Sequence, residues 1–453
     1  MPYEGEYAGY RPLQRIVESE RVKELLTRSK VLQNTDDISH PEPVSSPMLE
    51  GMPGLPRFIL GIDGSNAEVN VKNGYPGAKV GYCTVASVLI DLDMISRLDS
   101  QRPVDPKLFR NTEKASAIDA AMPGNNVITR RQSSARSSFR DELYDHFNGI
   151  IIDEDDRTRL IETYEELLDL KPKLHPQKCP YFFDDEECDH EFESIPKGHG
   201  NCPKCGRPIF STDALRIHER FRDYGSNLEA FGLVMQIWER ILLIYLLRSF
   251  EKRGLLDKLD KLAFFIDGPL AVFGPPAWLS AAISKELKRI NSLVRAKTGN
   301  DMIIVGIEKS GEFVTHFEEI DQTEIPGKLL FSPRTHMLLT DKYIKDRIKQ
   351  STSAKRYGMD TYFGRKLFYK TFNGARIVAS IPFLTDEQDT LDTDDISFYP
   401  RFGMVCALID RLVSSRFPNA LTPLISAHAE ASIPLNLGTK VLTQLAKVLM
   451  GEA

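Results

Sequence analysis

Two segments of this chain repeat one device. Phe58-Ile-Leu-Gly-Ile-Asp63-Gly64-Ser65 and Phe264-Phe-Ile-Asp267-Gly268-Pro269 are each an apolar run closed by Asp-Gly. A run of that length and composition reads as a buried strand, and Asp-Gly is a turn dipeptide. Each segment is therefore expected to set a carboxylate at a strand terminus where the chain turns sharply. Asp-Gly alone is more often a turn than a ligand. Two copies on neighbouring strands would bring both carboxylates to one site, and that juxtaposition points to a cation.

The flanking pattern fits a sheet that could hold such strands. Val80–Leu92 is a second apolar stretch after the Gly/Pro turn at Gly74–Gly77, so a hairpin or meander is expected there. Further on, a helix around Phe231–Lys252, a strand Leu262–Ile266, a helix Ala277–Val294 and a strand Met302–Ile307 alternate as α/β packing around a mixed sheet requires. A strand Ala375–Pro382 and helices at Arg401–Ser415 and Gly438–Leu449 complete the reading. Residues 1–57 read as an N-terminal helix over Leu13–Leu26 and a Pro/Ser-rich linker from Asp36 to Pro47. Within a main domain over residues 58–453, residues 100–225 change character, with a Ser/Arg-rich stretch at Thr129–Arg140, an acidic helix at Asp153–Leu170 and a cysteine cluster. They are expected to be an insertion.

Composition narrows the class. With 453 residues, 42% hydrophobic and 27% charged, the chain is neither disordered nor collagen-like nor a disulfide miniprotein. Its net charge of −6 argues at first against a nucleic-acid partner. Resolved along the chain, however, charge is segregated. Residues 151–195 hold five bases against fifteen acids, whereas residues 101–140 hold eight against three and residues 328–370 eleven against three. The two basic segments, including Arg130, Arg131, Arg136 and Arg140, are expected to offer tracks for a phosphate backbone. The longest apolar run, Leu228 to Leu247, is interrupted by Glu229, Gln236, Glu239 and Arg240, so a buried helix is expected and no membrane span. No basic and apolar leader opens the sequence. Six cysteines, four of them clustered, suit metal binding in a reducing compartment, and the cytoplasm is expected.

The cluster has the spacing C-x8-C-x13-C-x2-C through Cys179, Cys188, Cys202 and Cys205. Its Cys202-Pro-Lys-Cys205-Gly206 end is a knuckle in which a tight turn converges two thiolates on one tetrahedral ion. A structural zinc ribbon at about residues 175–212 is expected, with His190 and His199 as spare ligands. Four thiolates close a coordination sphere, so this zinc is expected to staple the insertion rather than to do chemistry. Cys83 and Cys406 lie on apolar stretches and are expected in the core.

Three further residues stand out. Glu239 lies on a helix among Met235, Leu242 and Leu243, and a carboxylate there needs a partner, either Arg240 or a cation. Lys309 follows the strand Met302–Ile307 as the aspartates follow theirs. His428 sits in Pro423-Leu-Ile-Ser-Ala-His428, where a satisfied structural role is the commoner one.

Taken in order, these pieces resemble the NurA nuclease family. The match consists of Ile62-Asp63-Gly64-Ser65, Val234-Met235-Gln-Ile-Trp-Glu239, Ile266-Asp267-Gly268-Pro269-Leu270, Glu308-Lys309-Ser310, Leu338-Leu339-Thr340-Asp341 and Pro423-Leu424-Ile-Ser-Ala427-His428. The resemblance implies an RNase H-like mixed sheet flanked by helices, here carrying the zinc-ribbon insertion. It also implies a manganese- or magnesium-dependent DNA nuclease, typically 5′ to 3′, that works as a dimer with the hexameric ATPase HerA in DNA repair or antiviral defence. By motif, Asp63, Glu239 and Asp267 fall at the metal centre, His428 beside it and Lys309 at a recurring polar position. Two departures are visible: Pro269 stands where Ser is common, and Ala420-Leu421 stands where a Tyr-Pro often precedes the histidine segment. Tyr399-Pro400 is a displaced candidate for the latter. A non-catalytic adaptor that recruits the ATPase through the ribbon, and a nuclease acting on RNA, are the alternatives.

Overall fold

The strand that begins at Phe58 does not stop at its Asp-Gly pair. In the computed structural model it runs over Phe58–Asn70 (β1) and pairs antiparallel, residue for residue, with Lys79–Asp91 (β2). The structure describes residues 10–29, 44–45, 54–71, 77–93, 113–130, 132–151, 157–172, 176–184, 188–322, 328–390, 394–414, 420–432, 441–443 and 445. Most of the linker and of the expected helix Gly438–Leu449 lies outside these residues. The N-terminal helix is two, Arg11–Glu18 and Glu20–Arg28, broken at Ser19 and without a buried residue.

β2 pairs antiparallel with Glu113–Pro123 (β3), so the expected meander has three strands. On the other side, β1 meets Leu262–Asp267 (β4) in parallel from Phe58↔Leu262 to Ile62↔Ile266, and β4 meets Ile303–Glu308 (β5) in parallel. Parallel neighbours need a crossover. Between β4 and β5 it is the helix Trp278–Thr298. Beyond β5 the sheet continues antiparallel through Thr335–Leu338 (β6), Gly364–Lys370 (β7) and Arg376–Pro382 (β8), with the two-residue strand Val44–Ser45 at its edge. Among the described residues the sheet has nine strands in the order Val44–Ser45, β6, β7, β8, β5, β4, β1, β2, β3. The run β3-β2-β1-β4-β5 is the expected RNase H-like core.

Helices cover both faces. Ala135–Gly149 (α1), Leu160–Asp169 (α2), Leu228–Lys252 (α3) and Trp278–Thr298 (α4) pack on the face that carries Leu60, Ile62, Phe264 and Ile266. Glu312–Asp321 (α5) covers part of the extended sheet, with Phe317 stacked on Phe368. Phe402–Leu412 (α6) and Thr422–Ala431 (α7) pack on the opposite face, over Ile59, Phe265 and Ile307. The period of two along β1 thus divides its residues between two apolar layers. α3 is long and apolar enough to cross a membrane, but 72% of its most apolar window is buried inside the protein. An all-round apolar helix belongs in a core.

The segment 100–225, expected as an insertion, divides in the structure. Its strand β3 is the edge of the main sheet, while residues 176–184 and 188–220 form two short hairpins and 3-10 turns packed on α1, α2 and α4. Arg140, 2% exposed, meets Asp213 with two hydrogen bonds of 2.7 Å. Tyr164 Oη donates to Ser211 O at 2.8 Å and Trp278 Nε1 to Ala214 O at 2.9 Å.

Candidate metal centre and cysteine site

Register builds the carboxylate cluster. The last parallel pair of β1 and β4 is Ile62↔Ile266, and β5 pairs Ile307 with Asp267. Asp63 and Asp267 are therefore adjacent, and Lys309 lies two residues beyond Ile307. Alternation puts all three on the face of Ile59, Phe265 and Ile307. Asp267 does end its strand, and the next residue, Gly268, has φ of 75°. Asp63 does not. It pairs with Ala86 in mid-strand, because β2 carries the ladder seven residues past the point where β4 ends. It is nevertheless the residue at which β1 loses its parallel neighbour, so the expected approach of the two carboxylates is present without the expected turn.

Lys309 bridges them. Its ammonium is 3.3 Å from Asp63 Oδ2 and 2.8 Å from Asp267 Oδ1. Asp267 Oδ1 is buried, and the Lys309 ammonium is the cation it faces. A buried carboxylate oxygen suits a cation. From the same face, α7 brings His428 Nδ1 to 3.2 Å from Asp63 Oδ2. The start of α7 lies directly on β1: a Cβ on Gly61 would be 2.5 Å from Pro423 O.

Glu239 arrives from the other face. It is 4% exposed on α3, and its Oε1 lies where a Cβ on Gly64 would be only 2.8 Å away. Gly64 is thus a space for a carboxylate rather than a turn. Arg240 is the partner that the sequence allowed as the alternative to a cation: its Nη1 donates to Glu239 Oε2 at 2.9 Å. The two do not compete, because Oε1 stays on the strand side.

Electrostatics follow from burial. Burial pushes the Asp63 carboxyl up to about 6; Asp267 adds to the rise, and Lys309 and His428 oppose it. Burial likewise pushes Glu239 up to about 8, against Arg240, with Asp63 and Asp267 adding to the rise. For Lys309 burial acts downward, but Asp267 and Asp63 outweigh it and hold the ammonium above its ordinary value. Like charges gathered in a buried site resist ionisation until a cation offsets them. The set of hard oxygens fits magnesium or manganese rather than zinc.

The four cysteines form a separate site. Gln177–Lys178 pairs with Glu191–Phe192 and His199–Asn201 with Pro208–Phe210, so Cys179 and Cys188 lie between the strands of one pair and Cys202 and Cys205 between those of the other. Their sulfurs lie within 4.8 Å of one another, the geometry of a tetrahedral metal site. Burial pushes the Cys202 thiol up, but the N–H groups of Cys205 and Lys204 outweigh it and bring the thiol below its ordinary value, as a thiolate ligand needs. The spare histidines are not in this group: His199 is exposed against Tyr144, and His190 packs edge-on to Phe192.

The basic segments are corrected in part. Arg136 and Arg140 are not a backbone track. Arg136 is 8% exposed and donates to Phe221 O and Asp223, both at 3.1 Å. Arg140 is the buried partner of Asp213. In residues 328–370, Lys366 and Lys370 are likewise buried against Glu308 and Asp321. Lys342 and Lys355 remain exposed and Lys349 is half-buried, in ion pairs of the kind that surface water readily exchanges. Segregation in sequence did not survive folding, because acids from distant segments answer these bases. Arg131 and residues 101–112 lie outside the described residues. Tyr399, the displaced tyrosine candidate, is buried with its ring edge-on to Phe402.

A family model described as NurA domain matches residues 58–433. Among solved structures, the NurA nuclease from Sulfolobus solfataricus covers 98% of this chain and 99% of its own, at 11% identity and a TM-score of 0.35. A crystal structure of NurA covers 97% and 95% at 12% identity and a TM-score of 0.26. One of NurA with manganese covers 97% and 96% at 11% identity and a TM-score of 0.22. No curated protein sequence matches. With the family model spanning most of its length, the chain belongs to the NurA family.

Proposed function

We propose that the chain is a divalent-metal-dependent DNA nuclease whose centre is Asp63, Glu239 and Asp267, served by Lys309 and His428. The observation that carries this reading is the convergence of Asp63 and Asp267 from adjacent strands on one ammonium, that of Lys309. Family membership supports the nuclease class, and the hard oxygen donors support the metal class. Asp63, Asp267 and Glu239 would hold magnesium or manganese, which would supply a Lewis acid and a water of lowered pKa for hydrolysis of a phosphodiester.

The side chains divide the remaining work. Asp63 and Asp267 hold oxygens on one face of the sheet, and Glu239 presents Oε1 from the other. Lys309, charged and 32% exposed at its side chain, offsets charge on a scissile phosphate. His428 is 56% exposed at its side chain and turns Nδ1 toward Asp63. An ionised Asp63 accepts a hydrogen bond from Nδ1–H, which keeps the proton on that nitrogen and leaves Nε2 to accept or return a proton at the reacting oxygen. The four cysteines hold a structural zinc that fixes the two hairpins against α1 and α2 and takes no part in hydrolysis.

A homodimer acting with a HerA-type hexameric ATPase in the cytoplasm, cutting DNA from 5′ to 3′ in repair or antiviral defence, extends this reading by family analogy. Incubation of the purified protein with labelled DNA and labelled RNA in manganese, with and without the ATPase, tests it. Manganese-dependent DNA cleavage is expected, with the ATPase raising the rate. Cleavage of RNA alone would make the chain a ribonuclease, and cleavage of neither polymer under any condition would make it an adaptor.

A further inference from the structure

Arg240 does more than neutralise its neighbour. It is 1% exposed, and its donors fan out in two directions. Nη1 reaches Glu239 Oε2 at 2.9 Å, while Nη2 reaches Asp267 O at 3.2 Å and Pro269 O at 3.0 Å, and Nε reaches Ala271 O at 3.3 Å. One guanidinium thus joins the carboxylate on α3 to three carbonyls of the segment that leaves β4 directly after the Asp267 side chain.

The two joined parts are the ones that must keep a fixed separation. Glu239 and Asp267 come from different elements on opposite faces of the sheet, and no backbone hydrogen bond among the described residues ties α3 to residues 267–271. The segment itself is anchored elsewhere, through Gly268 N to Ile307 O at 2.8 Å and Leu270 N to Ser380 Oγ at 3.0 Å. By taking Oε2, the guanidinium also fixes which oxygen of Glu239 faces Gly64 and the cluster. A planar fork with five fixed donors can serve acceptors on two sides at once; a lysine ammonium, a compact point charge, cannot.

We infer that Arg240 is the positioning residue of the metal centre, setting the distance between Glu239 and the Asp267 turn. The inference rests on the functional reading above, in which both carboxylates bind the metal. Groups that orient metal ligands typically change metal affinity by about 10- to 100-fold when altered.

The test is manganese binding by the full-length chain, followed by electron paramagnetic resonance of free Mn2+, for wild type, R240K, E239Q and the double variant. Bound zinc and a cooperative melt serve as the measure of folding. R240K keeps the buried positive charge and is expected to retain zinc and its melt while manganese affinity falls about 10- to 100-fold. In the E239Q background the same change is expected to cost much less, because its effect passes through Glu239. Unchanged affinity in R240K, an equal loss in both backgrounds, or an R240K that loses zinc and its cooperative melt would each overturn the positioning role. E239Q with wild-type manganese affinity would overturn the functional reading itself, so the two failures are distinct.

Discussion

Gly64→Ala is the smallest change that tests how the centre is built. A Cβ at residue 64 would lie 2.8 Å from Glu239 Oε1, 2.7 Å from Met235 Cγ and 3.2 Å from Thr84 O. Ordinary contact begins near 3.4 Å, so Glu239 must retreat by about 0.6 Å or the helix must lift from β1. Overpacking of this kind typically costs about 1–3 kcal/mol, visible as a melting point lowered by a few degrees. The larger effect is on chemistry. A centre needs its groups within about 0.5 Å of the productive geometry, and an error of about 1 Å can cost 10²-fold, so a rate loss of roughly 10- to 100-fold is expected. The assay is manganese-dependent cleavage of labelled DNA beside a thermal melt. Gly232→Ala is the control, since its nearest neighbour would be Asn66 Nδ2 at 3.8 Å and a helical alanine adds about 0.5–1 kcal/mol of stability. Wild-type cleavage by Gly64→Ala would refute the claim that Glu239 works through the space left at this glycine.

Three further outcomes follow from the geometry. Cys202→Ser should abolish stoichiometric zinc, measured by atomic absorption, and lower the melting point, while a variant with full zinc would show that the cluster holds its metal otherwise. Without divalent metal, stability should fall as pH rises from about 6.5 to 8, because native Glu239, pushed up to about 8, keeps a proton that the unfolded chain has already released. Below that window His218 and His336, held down to about 3 and about 4 by burial, act with the opposite sign. Manganese should reverse the trend by displacing the proton, so melts that stay flat or rise over that window without metal would contradict the assignment. Arg140→Met should cost about 3–5 kcal/mol by leaving Asp213 buried and unpaired. DNA affinity at low salt should stay unchanged in the folded fraction; lost affinity there would restore Arg140 to the DNA track.

Much of this site is legible in the residues, and the parts that are not have physical reasons. Apolar runs with β-branched residues gave β2, β4, β5 and β8 nearly to their ends but β1 only as far as its Asp-Gly pair, and the Cys-Pro-Lys-Cys-Gly knuckle marked the place where four sulfurs gather. β3 escaped because Glu-Lys-Ala-Ser-Ala-Ile-Asp-Ala-Ala is poor in strand formers; pairing with β2 over eleven residues overrides that propensity. Asp63-Gly64 looked like a turn because the dipeptide carries the same letters whether glycine supplies a backbone angle or an empty space. Only the approach of Glu239 distinguishes the two. Arg136 and Arg140 looked like surface charge because their partners, Asp223 and Asp213, lie more than seventy residues away. Arg240 was visible as an interruption of an apolar run and as one of two partners open to Glu239, but its link to the Asp267 turn depends on carbonyls that composition cannot show.

The most direct measurement compares manganese-dependent DNA cleavage by wild type with that of the double variant Asp63→Asn, Asp267→Asn, both checked for bound zinc and a cooperative melt. The account predicts a folded, zinc-loaded variant whose rate falls at least about 10³-fold, roughly 4 kcal/mol of transition-state stabilisation. A folded variant that cleaves DNA near the wild-type rate would contradict it.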